Sequence, residues 1–281
     1  MLTFERRYIF TGKLVLKTAL HIGGGEGTVS PSDSPVLRGP DLKPFIPGSS
    51  LKGSLRSTVE RLVPAIPGLR TCALIDGEGG VGNQPCPGAP GGAQRHFNQR
   101  RRDGDWSEDK LLTELEALCD TCKLFGSPFR ASKAYFDDLP IAEWVGTTQI
   151  RDGVAIDRDS ERARDRLLYN YEVVAPTSVF AFRLTLEEPT NTDVGLTCLG
   201  VSEFVAGFGG VGGLRSRGLG RFSLDDLQIL ELDLSDDSTR AERLKRYLVG
   251  RTAEEKMTPL PDAAVFLRTA IERLLEVAQP C

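Results

Sequence analysis

Positions 207 to 222 read GFGGVGGLRSRGLGRF, seven glycines with Arg215, Arg217 and Arg221 among small or apolar residues. Glycine adopts positive φ and lets the backbone come close to a ligand. Such a stretch predicts a loop that aims bare N–H groups at an anion, with arginine adding the charge. Gly207, Gly209 and Gly212 satisfy G-x-G-x-x-G, but a dinucleotide fingerprint follows a strand and opens a helix. Here the order is reversed. Residues 194–205 place Leu199, Val201, Phe204 and Val205 on one helical face, and 221–232 reads as a strand. The plainer alternative, a flexible surface turn, accounts for neither the number of glycines nor the spaced arginines.

Upstream, the even positions from Tyr8 to Ile22 are Tyr, Phe, Gly, Leu, Leu, Thr, Leu and Ile, whereas Thr11, Lys13, Lys17 and His21 are polar. This alternation predicts a strand with one buried face. A glycine run ends it, and an irregular segment with Asp33, Ser34, Pro35 and Arg38 follows. Pro44 and Pro47 bracket the next entry, where Gly48, Ser49 and Ser50 supply a helix N-cap ahead of Leu51, Leu55, Val59 and Leu62. Lys52, Ser54 and Arg56 lie off that apolar line. GSSLKGSLR is not a phosphate-binding P-loop, because its lysine precedes the glycine and no G-K-[ST] ending is present.

A strand at 134–136 follows, then an alternating one with Phe180, Phe182, Leu184 and Leu186 on one face. Between them, positions 150–174 carry five arginines and four aspartates and predict an exposed arm, mobile when nothing binds it. Its Arg158, Arg162, Arg164 and Arg166 either face a polyanion or pair with the aspartates. The tail gives two amphipathic helices, with Leu244, Tyr247 and Leu248 in one and Val265, Leu267, Ile271, Leu274 and Leu275 in the other. These helices are expected to cover the sheet or a neighbouring subunit.

Residues 64–110 are rich in Gly, Pro and charge and contain Cys72, Cys86 and His96. Ordering so long an insertion costs conformational entropy unless something ties it down. Cys119-Asp-Thr-Cys122 supplies the candidate tie, since a Cys-x-x-Cys with two further cysteines upstream fits a four-coordinate structural Zn2+ site. The expected ligands are Cys72, Cys86, Cys119 and Cys122, with His96 the alternative to Cys86 because the upstream spacings are loose. A redox role for Cys119 and Cys122 lacks the surrounding thioredoxin-like βαβ. Cys198 reads as a buried hydrophobe and Cys281 as a free tail.

The net charge of −4 excludes a protein that simply coats nucleic acid with positive charge, so any phosphate-binding surface is local. No apolar run reaches ~18 residues, and MLTFERRYIF lacks signal-peptide order, which predicts a cytoplasmic protein. In that reducing compartment six cysteines point to metal rather than disulfides. At 281 residues with no clear linker, the chain reads as one elaborated α+β domain. Stripped of insertions the order is βαββαβ, the ferredoxin-like arrangement shared by RNA-recognition folds. The core spans about 5–63, 134–149 and 172–233, the zinc-bound insertion about 64–128, the arm about 150–171 and the C-terminal helices about 237–279.

Four stretches, LHIGGGEGTVSPSDSPVLRG, IPGSSLKGSLRS, CDTCKLFGSP with the IRDGVAIDRD arm, and the terminal glycine loop, together resemble the RAMP-superfamily subunits that form the repeating backbone of type III CRISPR effector complexes. The resemblance runs over roughly residues 8 to 232 and leaves the tail uncovered. It implies a ferredoxin-like palm that stacks head to tail with neighbouring copies or paralogues along a CRISPR RNA guide. The arm from Arg151 to Arg166 would then be a thumb that displaces one nucleotide at regular intervals.

By the same resemblance, Ser49, Ser50, Lys52 and Arg56 and the loop residues Gly212, Gly213, Arg215 and Arg217 match positions that hold the guide backbone. Lys123, Arg130 and Arg151 join them as candidate RNA contacts. Helix-terminal amides, a glycine-rich nest and Arg or Lys together bind phosphates without reading bases. Asp33 matches the aspartate that active members require for cutting target RNA. The implied reaction is attack by the RNA's own 2′-hydroxyl on the adjacent phosphate, dependent on Mg2+ or Mn2+. Composition alone reads Asp33 as a turn residue capping Ser34-Pro35. Two other functions stand beside this one: an architectural subunit without cleavage, and a stand-alone CRISPR precursor RNA endonuclease for which His21 is the better placed base.

Overall fold

The computed structural model describes residues 4–24, 32–72, 86, 102, 104, 107, 112–113, 115–127, 130–156 and 163–277, with backbone only at 155–156 and 163–168. His96, Cys281, Arg158 and Arg162 lie outside the described residues, as do the side chains of Arg164 and Arg166.

The alternation near the N-terminus builds the centre of the sheet. β1 (Arg6–Leu16) turns Tyr8, Phe10, Leu14 and Leu16 into the main core. It ends at Leu16, short of the expected Ile22, because the amides of Leu16, Lys17 and Thr18 turn to the carbonyls of Ser178 and Arg221. β7 (Val179–Glu187) and β9 (Arg221–Asp233) flank β1, both antiparallel to it. Beyond β7 lie β3 (Ala134–Phe136), β4 (Leu139–Glu143) and β2 (Phe45–Ile46), and β10 (Thr258–Pro259) closes the other edge. β8 (Gly209–Gly210) pairs with the start of β9. A bulge opposite Gly12, with Asp226 at φ 53°, exchanges the faces of β9. Phe222, Leu224 and Ile229 consequently join one core cluster, and Leu230, Leu232 and Leu234 the other.

Helices cover the first face. α1 (Gly48–Leu62) buries Leu51, Leu55 and Val59 on the spacing its sequence predicts. Its N-cap is Pro47 with no side-chain cap, and the Gly48 N–H donates instead to Asp138 Oδ1 at 2.8 Å. Ser49 and Ser50 therefore sit inside the first turn, a correction to their expected capping role that arises because a carboxylate from the β3–β4 turn takes the cap's place. α2 (Asp120–Phe125) starts at Cys119. α3 (Asn191–Val205) opens on a capping box between Thr190 and Asp193, and Lys133 reaches the same Asp193 carboxylate at 2.5 Å. α4 (Asp237–Val249), α5 (Ala253–Lys256) and α6 (Ala263–Val277) form the tail. α6 lies on the first face, where Leu267 and Leu274 join the main core and Phe266 sits 5.5 Å from the Tyr8 ring. Tyr247 of α4 and Ala253 of α5 pack over Ile9, Leu230, Leu232 and Met257 on the second face.

The arginine-rich arm is a two-stranded antiparallel hairpin, β5 (Thr148–Ile156) and β6 (Ala163–Val174). Ladder pairing runs along its described residues, and its base is buried through Val173 and Val174. Among the described residues, no helix is long and apolar enough to cross a membrane.

Candidate functional site

At the base of the hairpin, β6 gains a second neighbour. Ser34 forms a parallel bridge with Tyr171, and Leu20 an antiparallel one with Val174. Asp33 is exposed but held, since its Oδ2 accepts the Asn170 N–H at 2.9 Å while its own N–H donates to Asn170 Oδ1 at 2.7 Å. This reciprocal pair, rather than a local Ser34-Pro35 turn, positions the carboxylate. Beneath it, Glu172 is buried and its carboxylate accepts from Arg38, from the Thr148 hydroxyl and from the Val36 N–H at 2.9 Å. Burial alone would raise the Glu172 pKa, but the hydrogen bonds from Thr148 and Val36 and the Arg38 charge outweigh it and hold the carboxyl below the ordinary glutamate range.

His21 knots these segments together. Its Nδ1 lies 2.7 Å from the Glu172 carbonyl, an acceptor, so Nδ1 carries a proton, and Nε2 is hydrogen-bonded to Ser34 Oγ at 3.3 Å. The ring meets Tyr171 edge-on at 5.7 Å, and the His21 carbonyl accepts the Gly213 N–H at 2.9 Å. With 8% of its surface exposed and both ring nitrogens engaged, His21 serves as a tether rather than as a free base.

The glycine loop packs onto that knot. Gly212, at φ 83°, approaches so closely that an added Cβ would lie 2.3 Å from the His21 carbonyl, and at Gly220, φ 75°, one would lie 2.0 Å from the Val211 carbonyl. The amides of Val211, Gly213, Gly218 and Gly220 donate to carbonyls of the protein. The expected nest of bare N–H groups is thus largely used up in holding the loop's shape. What the loop offers outward is charge, in the exposed Arg215 and Arg217. Arg217 donates to the Tyr169 hydroxyl, and the Tyr169 ring is near-parallel to Tyr171 at 6.2 Å. Arg151, half-buried on β5, lies opposite Tyr171 in the hairpin register.

α1 joins this area to a second one. On one side the Ser54 hydroxyl donates to the Gly210 carbonyl at 2.6 Å. On the other, Arg56 Nη1 donates to the Gly126 carbonyl at 3.2 Å and Nη2 to Cys122 Sγ at 3.4 Å, while Nε pairs with Glu60 at 2.7 Å. Arg56 is therefore turned inward, away from the loop arginines with which the sequence grouped it. Lys52 is half-buried, and burial, then the neighbouring Arg56 charge, holds it below the ordinary lysine range. Lys123 and Arg130 lie on the cysteine side, half-buried, one on α2 and one just after it.

Cys72, Cys86, Cys119 and Cys122 are buried, unbridged and close, with ligand atoms all within 4.8 Å of one another. Cys72 and Cys122 Sγ lie 3.4 Å apart, and the Cys119 N–H donates to Cys86 Sγ at 3.1 Å. Hydrogen bonds from Cys122, Cys72 and Cys86 pull the Cys119 thiol far down. Cys119 pushes Cys72 up, but Cys122 and Cys86 outweigh it and bring Cys72 to about 7. Four convergent sulfurs of this kind could hold a metal ion. Among the described residues no comparable cluster includes Asp33.

A family profile of the RAMP superfamily matches residues 13–223. The chain belongs to that superfamily. Among curated relatives, the chain is 30% identical over 195 residues to a protein of Mycobacterium tuberculosis named CRISPR system Cms endoribonuclease Csm3, covering 68% of this chain and 69% of the relative. A protein of the same name from Methanocaldococcus jannaschii is 24% identical over 249 residues, covering 82% and 83%. A third, from Methanothermobacter thermautotrophicus, is 43% identical over 60 residues, a match that spans 20% of this chain and 24% of the relative. Within this RAMP chain, several site residues escaped the sequence reading. Glu172 carried a signal, a lone charge between Tyr171 and Val173-Val174. Asn170, Arg38, Thr148 and Tyr169 carried none, since their roles depend on partners far along the chain.

Proposed function

We propose that this chain is a guide-RNA-binding backbone subunit of a type III CRISPR interference complex, and that it cuts bound target RNA through Asp33. One observation carries the reading: adjacent residues of β6, Tyr169 and Asn170, engage Arg217 of the glycine loop and Asp33 respectively. A phosphate-binding charge and an exposed carboxylate are thereby displayed from one short stretch, on a base fixed by buried Glu172. The names of the relatives, all Cms endoribonuclease Csm3, favour the same activity. In this reading Arg215, Arg217, Arg151 and Lys52 hold guide phosphates without reading bases, and Gly212 and Gly213 shape the loop that presents them. Ser49 and Ser50 bring hydroxyls to the first turn of α1, where the Gly48 and Ser50 amides are already bonded to Asp138 and Pro47, and Lys123 and Arg130 extend the contact toward the cysteine segment. The hairpin acts as the thumb and the antiparallel sheet with α1 and α3 as a ferredoxin-like palm. The whole of residues 1–281 is read as one unit stacked with neighbouring copies or paralogues.

Asp33 is suited to orient the attacking 2′-hydroxyl, with the guide–target duplex supplying the in-line geometry. The four cysteines are read as ligands of a structural Zn2+. That ion would supply the folding energy that a segment with few apolar side chains lacks.

The test is cleavage of a guide-matched RNA by the reconstituted complex in Mg2+ or Mn2+, native against Asp33→Ala, with target binding measured in parallel. Cleavage falling by about 100-fold or more with binding retained is the expected result. Unchanged cleavage, or none from either protein, would assign the subunit an architectural role.

A further inference from the structure

We infer that Arg56 is a positioning residue for the cysteine-bound metal, fastening the sulfur cluster to α1, and that it is not a ligand of RNA phosphate. This rests on the metal reading above.

All three branches of the guanidinium are committed: Nε to Glu60 at 2.7 Å, Nη1 to the Gly126 carbonyl at 3.2 Å and Nη2 to Cys122 Sγ at 3.4 Å. Its side chain is only 11% exposed. The second N–H of each Nη is left over, but on a side chain with so little open surface that a phosphate would meet far less of it than of the exposed Arg215 or Arg217. The chemistry on the sulfur side explains the arrangement. Four thiolates around a divalent cation carry a net charge of −2, spread over the sulfurs and buried, and such a site needs N–H donors and a compensating cation. The Cys119 amide supplies one donor, to Cys86. Arg56 supplies another together with a permanent positive charge, to Cys122. Glu60, one turn along the same helix, fixes the plane of the fork. Gly126, the C-cap of α2, places its carbonyl so that the end of the Cys-x-x-Cys helix is gripped as well. The same helix reaches the glycine loop through the Ser54 hydroxyl. Partners outside the ligand shell that orient ligands commonly change metal retention by about 10 to 100-fold when removed.

The experiment loads the full-length protein with Co2+ and compares native, Arg56→Gln, Arg56→Lys and Leu274→Ala proteins. Leu274→Ala controls for general loss of stability, because Leu274 is buried in the main core on α6. Absorption reports the sulfur-to-cobalt charge-transfer band, a chelator reports the rate of metal release, and guide-RNA binding is measured on the zinc-loaded proteins. Removing a positive donor from a thiolate raises its electron energy. Arg56→Gln should therefore move the band to longer wavelength and quicken release by about 10 to 100-fold. Arg56→Lys should fall between, keeping charge without the fork. Leu274→Ala should leave the band in place. An unchanged band and release rate in Arg56→Gln, or loss of guide binding with the cobalt site unaltered, would overturn the inference and return Arg56 to the phosphates. Absence of a four-sulfur spectrum from the native protein would instead sink the metal reading and the inference with it.

Discussion

The glycine loop and the cysteine segment flank the same helix and are held in place by different means. The loop contains few large side chains, yet backbone hydrogen bonds to Ala19, His21 and Gly220 and the buried anchors Val211, Leu219 and Phe222 hold it against the sheet. Among the described residues, the cysteine cluster contains four sulfurs, Leu118 and a partly buried Leu115, and is separate from the main core. A region that shares its neighbours' core needs only shape. The cysteine cluster, whose described residues form a small core apart, is where the proposed metal would add the missing stabilisation.

The largest break in this contrast is metal removal. If the four cysteines hold Zn2+ as proposed, chelation of the native protein should open the Cys-x-x-Cys helix at Asp120–Phe125 to protease while the sheet keeps a cooperative melting transition, since structural Zn2+ contributes on the order of 10 kcal/mol to the fold it ties. Loss of both regions at once would make them a single cooperative unit. Next in size is Gly220→Ala. A Cβ placed 2.0 Å from the Val211 carbonyl at φ 75° forces the loop to move, and roughly 3 kcal/mol should disappear from denaturant unfolding. An effect near zero would make the loop as yielding as a surface turn.

Smaller, and useful for separating the regions by pH, is Glu172→Gln. The folded Glu172 carboxyl titrates below its unfolded value. Its contribution is accordingly complete above the unfolded pKa and is lost as pH falls through the lower folded pKa. The amide variant should be less stable at neutral pH by about 1–3 kcal/mol. It should also lose less stability than the native protein on acidification, with the difference read from urea midpoints across the acid range. A metal held by the four cysteines as proposed would, by contrast, be released as the thiolates take up protons, an event that Glu172→Gln leaves untouched.

Much of the fold was legible because burial follows period. The alternation in β1 and β7 and the spacing of Leu51, Leu55 and Val59 each match the core they enter, whereas Val63 rather than the expected Leu62 continues the helical stripe into it. Legibility failed where a distant partner replaced a local one. Ser49 and Ser50 have capping chemistry, but Asp138 took the capping role. Arg56 has the charge of a phosphate ligand, but its donors meet Glu60, Gly126 and Cys122. The loop glycines permit bare amides, but most of those amides found carbonyls.

By itself the sequence determined the periods of β1, β7 and α1, the glycine positions and the candidacy of the cysteines as metal ligands, with His96 left as an alternative to Cys86, since local period, backbone freedom and thiol chemistry are properties of residue type. The tertiary structure alone decided that Asn170 pins Asp33, that Glu172 anchors the hairpin base and that Arg56 faces sulfur. A hydrogen bond between residues 137 positions apart depends on how strands and helices stack, and no local pattern encodes that.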